Sequence, residues 1–284
     1  MMTVRVRFAS SVLAASLLAA AAGCGPAAAE PQAGGIALAS HLAIYDLKLA
    51  NSRGKRSLQA VQGRIVYDFS SACEGYGLQF RQVTSLDSGE GKTALSDLRA
   101  TSWEDAEAKS FRFTSQNFLD ERLVENVDGN AERQGDGVAV KLSKPEQKHF
   151  SAGAAVFPTE HMRDILAAAH AGKSLLQLNV YDGSDNGQKV YQSLTVIGRK
   201  IAPNERKPAD AAGSQSALAD LDRWPVTISY FEKTDQNGEQ TPVYSISFEL
   251  YDNGISRALV LDYGDFAVSG DMTSLELRDT KPCR

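Results

Sequence analysis

The stretch Tyr244-Ser245-Ile246-Ser247-Phe248-Glu249-Leu250-Tyr251-Asp252-Asn253-Gly254-Ile255 decides the fold class. Along an extended chain Tyr244, Ile246, Phe248 and Leu250 fall on one side and Ser245, Ser247 and Glu249 on the other, so the segment reads as a strand with one buried and one wetter face. Alternation of this kind belongs to antiparallel sheet. Asp252-Asn253-Gly254 then separates a strand over 243–251 from one over 255–263, and the Asn-Gly pair predicts a type I′ hairpin turn.

The same period of two continues outward in both directions. Tyr45, Leu47 and Leu49 alternate with Asp46 and Lys48, and Val61, Ile65, Tyr67 and Phe69 oppose Gln62, Arg64 and Asp68. Asp128-Gly129, Asp136-Gly137 and Asn237-Gly238 predict further turns. Strands are predicted over 41–50, 57–69, 76–87, 92–103, 109–117, 120–127, 137–143, 147–154, 174–181, 189–201, 225–234, 242–251, 255–263 and 271–279. So many meandering strands in succession predict one large antiparallel sheet, curved or closed.

Thr159 to Ala171 breaks the pattern. Met162, Ile165, Leu166 and Ala169 recur at helical spacing, Pro158 and Thr159 precede them, and Gly172 supplies a stop. The apolar stripe must be buried, either against the concave face of the sheet or outside a sandwich; periodicity leaves both arrangements open. Residues 202–222, containing Pro, Ala and Asp, predict a surface connection between two halves of the sheet, with a short helix near Ala217–Leu221.

The N-terminal region reads as an export signal. Arg5 and Arg7 precede an apolar run from Phe8 to Gly23, too short and too alanine-rich for a membrane span. Two cleavage readings stand: after Ala27-Ala28-Ala29, which is preferred, or at Ala21-Ala22-Gly23-Cys24, which resembles a lipobox and would acylate Cys24. The expected organisation is a signal peptide over 1–29, a flexible leader over 30–40 and a single β domain over 41–284. Under either cleavage Cys24 is unavailable to the fold, leaving Cys73 and Cys283. One disulfide between them is expected in an oxidising compartment, two separate buried thiols being the alternative. Closing so long a loop restricts the unfolded chain by about 5 kcal/mol at most.

Composition fits an ordinary globule, with 43% hydrophobic and 23% charged residues. The formal charge is −5, and removing residues 1–29 takes away two arginines and no acid. A net-acidic chain without Lys/Arg runs is a poor partner for nucleic acid or for an anionic membrane surface.

Motifs for chemistry are sparse. No two of His41, His149, His161 and His170 lie at metal-ligand spacing. Asp182-Gly183-Ser184-Asp185-Asn186-Gly187 resembles the start of a calcium loop, but Ser193 stands where a bidentate glutamate belongs; a hairpin turn accounts for it. Ser52-Arg53-Gly54-Lys55 has the Ser-x-x-Lys spacing of penicillin-interacting enzymes without their companion motifs. Asp262 and Asp265 lie near the last hairpin. No catalytic residue, metal ligand or cofactor-binding residue is assigned. Phe80, Trp103, Phe111, Phe113 and Phe118 either fill the core or line an apolar groove of a curved sheet.

His41-Leu42-Ala43-Ile44-Tyr45-Asp46-Leu47, Gly63-Arg64-Ile65-Val66-Tyr67-Asp68-Phe69 followed by Cys73 and Gly75-Tyr76, Val156-Phe157-Pro158-Thr159-Glu160-His161, Val180-Tyr181-Asp182-Gly183-Ser184, Tyr251-Asp252-Asn253-Gly254-Ile255 and Leu261-Asp262-Tyr263-Gly264-Asp265-Phe266 appear in that order. In this the chain resembles the EipB family of alphaproteobacterial cell-envelope integrity proteins across residues 41–284. The resemblance implies a mainly β, half-barrel-like spiral sheet enclosing one helix, distantly similar to the lipoprotein carrier fold. It also implies a disulfide mapping onto Cys73 and Cys283, and a periplasmic role in envelope integrity under stress without enzymatic activity. Cys24 departs from a freely soluble pattern, since its acylation would anchor the chain to the envelope.

The expected function is therefore a non-enzymatic periplasmic protein, monomeric and without a cofactor, that holds a protein partner or a lipid or lipoprotein ligand in a concave groove. The alternative is an envelope hydrolase acting on peptidoglycan or lipid through unrecognised carboxylates.

Overall fold

The computed structural model describes residues 36–53, 58–89, 91–232 and 240–279. Fourteen strands form one sheet: β1 (His41–Ser52), β2 (Ala60–Ala72), β3 (Gly75–Asp87), β4 (Thr93–Asp105), β5 (Ser110–Leu119), β6 (Arg122–Gln134), β7 (Gly137–Lys144), β8 (Lys148–Gly153), β9 (Leu175–Val180), β10 (Tyr191–Ile197), β11 (Arg223–Glu232), β12 (Tyr244–Tyr251), β13 (Ser256–Asp262) and β14 (Phe266–Leu277). Their order across the sheet is β8-β7-β6-β5-β4-β3-β2-β1-β14-β13-β12-β11-β10-β9, and every strand pairing is antiparallel. Chain neighbours are sheet neighbours except β8 and β9, and β1 pairs in addition with β14, His41 opposite Leu277 and Ser52 opposite Phe266. Two meanders thus meet along a central seam, and the sheet is an open, half-barrel-like spiral whose edges are β8 and β9.

Helix α1 (Pro158–His170) joins those two edges. A connection this short draws them together, and Val156 just before the helix makes a parallel bridge to Val180 at the end of β9. Ile165 and Leu166 of α1 are fully buried, in one cluster with Tyr45, Ile65, Trp224, Phe248 and Leu259 from the central strands. The apolar stripe therefore faces the concavity, and the outside-packed arrangement is not adopted. A second cluster fills the β5–β8 arm, where Phe157 and Tyr181 pack on Phe111, Phe113 and Val140.

Both helix ends follow from local chemistry. At the C-terminus Gly172, at φ +68°, donates its N–H to Ala169 and Lys173 donates to Ala168, a glycine-terminated stop. At the N-terminus Phe157 occupies the capping position, and its side chain has no oxygen to offer. The missing acceptor comes from the sheet: Glu104 of β4 takes the N–H of Thr159 and of Glu160, each at 2.7 Å. Glu160 closes the turn by accepting the Phe157 N–H at 3.1 Å.

Three expectations from the sequence are revised. The β12–β13 turn is not type I′, because Gly254 is its one positive-φ residue (+86°); Tyr251 accepts the Gly254 N–H at 2.9 Å, the pattern of a type I turn closed by a glycine bulge. Asn253 is held instead through its side chain, which accepts the Ile255 N–H, and through its carbonyl, which accepts from Ala39. Asp128-Gly129 is no turn: it lies inside β6 at a register shift, where a Cβ on Gly129 would stand 2.7 Å from Leu142 and 2.8 Å from Phe113. The glycine serves close packing. Finally, residues 202–222 connect adjacent strands β10 and β11 rather than dividing the halves, a role taken by α1. They carry the short helix α2 (Ser216–Ala219) and cover a buried ion cluster. In that cluster Glu249 accepts from Arg223 at 2.8 Å and Arg257 at 2.5 Å, and Arg257 donates to Asp210 at 2.6 Å.

Of the expected leader, residues 30–35 lie outside the described residues. Residues 36–40 pack onto the fold, with Leu38 6% exposed against the Gly254 turn and Ser40 bonded to the Ser71 backbone. Asn237-Gly238 lies outside the described residues.

Candidate functional site

Between α1 and the central strands lies a cavity of about 320 Å³. One wall comes from β1 to β3, where His41, Tyr67, Phe69 and Tyr76 form a continuous aromatic stack with ring centroids 5.6 to 6.3 Å apart. The facing wall comes from β11 to β13, with Ile228, Tyr230, Tyr244, Ile246 and Leu261. Here too the aromatics are in register: Tyr230 stacks on Tyr244 at 6.1 Å, and the series runs on through Tyr263 to Phe266 at the rim. The first turn of α1 covers the space with Pro158, His161 and Met162.

Strand alternation explains this lining. The inward phase of each strand carries the apolar and aromatic residues, and long side chains projecting from a curved sheet converge without filling the volume that the helix leaves. The lid is held rigidly. Besides the Glu104 cap, Arg133 donates to Glu160 at 2.6 Å and stacks on the Phe157 ring at 5.3 Å. Arg163 donates to the Ala106 carbonyl at 3.0 Å.

The polar groups at this site are pushed toward their neutral forms. Burial lowers the pKa of His161 to about 4 and lowers that of His41, and it raises that of Asp182. Burial also raises Tyr67 to about 12 and raises Tyr45, Tyr230 and Tyr244. Glu104, behind the lid, is 2% exposed; burial raises its carboxyl to about 7 against the opposing pull of the Thr159 and Glu160 N–H groups. A cavity with aromatic walls, whose titratable groups are shifted by burial toward their neutral forms, favours an apolar molecule over an ion.

The residues singled out from the sequence are dispersed. His161 Nε2 lies 3.3 Å from the Ser193 hydroxyl, which itself donates to the Leu178 carbonyl at 3.1 Å. His41 bonds the Ala39 carbonyl through Nδ1 at 2.7 Å, His170 meets Asp252 at 2.5 Å, and His149 is exposed on β8. Among the described residues no group of three or more His, Cys, Asp or Glu is placed to hold a metal. Asp182 accepts from the Ser184 N–H at 2.9 Å and hydroxyl at 2.7 Å, turning the calcium-loop-like segment into a packed β9–β10 connection whose first residue lines the cavity. Ser52 accepts the Leu58 N–H at 3.0 Å; Lys55 lies outside the described residues.

Asp262 is gripped by Arg53 at 2.6 Å through both oxygens and accepts the Gly264 N–H, and these contacts outweigh burial to hold its pKa down. Cys73 sits in the β2–β3 turn and is disulfide-bonded; Cys24 and Cys283 lie outside the described residues. Of the aromatics, Phe80 lines the cavity and Phe111 and Phe113 fill the second cluster. Trp103 and Phe118 instead lie under the guanidinium groups of Arg112 and Arg99.

Reading the sequence alone misses Glu104 and Tyr230, and takes Asp182 only as part of a turn. For Glu104 the signal was present: with Ser102 it occupies the inward phase of β4, where an acid has to find a partner. No helix among the described residues is long and apolar enough to cross a membrane.

Comparison with known proteins agrees with this architecture. The chain is 37% identical over 276 residues, 97% of each chain, to the cell envelope integrity protein EipB of Brucella abortus (strain 2308). A crystal structure of a beta-barrel-like protein of a domain of unknown function from Brucella abortus superposes with a TM-score of 0.78 at 36% identity, covering 86% of this chain and all of that one. The EipB-like family profile matches residues 32–279, and with that match, the relative's identity over nearly its whole length and the structural similarity to the beta-barrel-like protein, the chain belongs to the EipB-like family.

Proposed function

We propose that this chain is a non-enzymatic periplasmic protein that supports cell-envelope integrity and stress resistance by holding a lipid-like ligand in the concavity of its sheet. The observation that carries the reading is the cavity of about 320 Å³ between α1 and two aromatic walls. Its lining offers burial to an apolar chain and offers no cluster of activated groups for chemistry on one. The envelope role follows the name of the Brucella abortus relative. A periplasmic site accords with the disulfide at Cys73, since such bonds persist in oxidising compartments. We propose Cys283 as its partner: Arg278, just past β14, donates to Asp68 of β2 at 2.5 Å, so the last described residues lie against the strand that leads to Cys73. Acylation of Cys24 would tether the same domain to the envelope, and the mass of the mature N-terminus tells the two forms apart.

The test is native mass spectrometry of the protein extracted gently from envelopes, with Met162→Trp as a cavity-filling control. Wild type is expected to carry a bound lipid-sized mass that the variant lacks, and the folded variant is expected to fail in restoring stress resistance to a deletion strain. A wild type that never carries ligand, together with full rescue by Met162→Trp, overturns the reading.

A further inference from the structure

Buried tyrosines in this fold otherwise find acceptors. Tyr45 donates to the Ser256 carbonyl at 2.7 Å, Tyr181 to the Gly187 carbonyl at 2.7 Å and Tyr251 to the Gly213 carbonyl at 3.4 Å. Four half-buried tyrosines that line the cavity depart from this pattern. Among the described residues the hydroxyls of Tyr67, Tyr76, Tyr230 and Tyr244 have no protein hydrogen-bond partner. These hydroxyls face the cavity space, where a ligand oxygen can accept from them.

Their placement narrows the chemistry. Tyr230 and Tyr244 are directly opposed residues of β11 and β12 with stacked rings, so their hydroxyls present two neighbouring donors. Tyr67 stands on the other wall, stacked on His41. No Lys or Arg lines the cavity, so an anion entering it would have no counter-ion. His41, His161 and Asp182 are shifted by burial toward their uncharged forms, and so add none. At about 320 Å³ the space lies at the small end of the ~300–1,000 Å³ range of ligand pockets. That is room for one chain rather than several.

Building on the ligand reading above, we infer that the cavity takes a single uncharged acyl chain carried on an ester or amide, whose carbonyl oxygens accept from Tyr230 and Tyr244, in preference to a free fatty acid or a bare hydrocarbon. Hydrocarbon supplies no acceptor for the hydroxyls. A carboxylate supplies one but brings a charge that nothing in the wall neutralises.

Displacement of the neutral fluorophore N-phenyl-1-naphthylamine from the mature full-length protein tests this, with monolauroylglycerol, laurate and dodecane as competitors at neutral pH. Monolauroylglycerol is expected to displace the probe at about ten-fold lower concentration than either competitor, the equivalent of one satisfied hydrogen bond. The double variant Tyr230→Phe/Tyr244→Phe is expected to melt no lower than wild type, because it removes unpartnered hydroxyls and keeps the stacked rings. It should bind dodecane as before and lose the preference for the ester. Laurate displacing as well as the ester, or the ester preference surviving in the double variant because the hydroxyls only hold water, overturns the inference while the ligand reading stands. Failure of the probe and all three competitors to bind overturns the ligand reading itself.

Discussion

Replacing Glu104 with glutamine is expected to make the difference in stability between variant and wild type depend steeply on pH. Glu104 is 2% exposed and caps α1 from β4 through two 2.7 Å hydrogen bonds, and burial raises its carboxyl from 4.5 to about 7. An acid whose pKa is higher folded than unfolded binds a proton more readily when folded. Its contribution is therefore most favourable below the unfolded value and declines as pH rises through the folded one. The full displacement is worth about 3.5 kcal/mol at ~1.4 kcal/mol per pH unit, and about 2.5 kcal/mol of it falls between pH 5 and 8. Because the group is almost wholly buried, solvent screening does not reduce this figure appreciably. Glutamine keeps the shape and one carbonyl acceptor but cannot ionise. Urea unfolding of both proteins at pH 5 and pH 8, followed by the fluorescence of Trp103 and Trp224, measures the change. The variant should gain about 2.5 kcal/mol on wild type over that interval. A difference independent of pH would refute the argument. So would a difference of opposite sign, which would mean that the helix N-terminus holds Glu104 ionised and that its pKa is depressed.

Gly254→Ala is expected to cost about 1–3 kcal/mol, because Gly254 sits at φ +86° and a Cβ there would stand 2.6 Å from Leu38; an unchanged urea midpoint would show that the turn and leader relax freely. Glu249→Ala should cost about 3–5 kcal/mol near neutral pH by leaving Arg223 buried without a carboxylate and Arg257 with Asp210 alone. Although burial opposes it, the arginines hold the Glu249 carboxyl below its ordinary value, so that cost should shrink as pH falls through the folded pKa; a loss that stays constant into acid would contradict the ion-cluster account. Cys73→Ser and Cys283→Ser are each expected to lower stability by up to about 5 kcal/mol under oxidising conditions, with melting curves recorded with and without reductant. Cys283→Ser melting like oxidised wild type would rule out the proposed pairing.

How much of this was legible beforehand differs from element to element. The inward phase of Tyr244, Ile246, Phe248 and Leu250 could be read directly, because side chains on a strand alternate and nothing distant changes that periodicity. The helix expected over 159–171 from Met162, Ile165, Leu166 and Ala169 was equally plain and runs over Pro158–His170. Turn geometry was not: Asn253-Gly254 reads as a two-residue turn until Ala39 and Leu38 are seen to occupy it, and Asp128-Gly129 reads as a turn until Leu142 and Phe113 explain the missing side chain. At the candidate site, alternation marks Tyr67 and Tyr244 as inward, while the pairing of Tyr244 with Tyr230 and the absence of acceptors for their hydroxyls appear only once the walls face each other.

The sequence by itself determined what depends on neighbours in the chain: antiparallel strands, the helix and its glycine stop, and the membership of residues in inward and outward faces. Tertiary structure alone decided what depends on residues far apart meeting: the β1–β14 seam, the helix inside the concavity, the Glu104 cap and the cavity with its unpartnered hydroxyls. The physical reason is range. Backbone sterics and side-chain periodicity act over a few residues, whereas burial, capping by a carboxylate 55 positions away and the space left between two walls exist only after the sheet has curled around its helix.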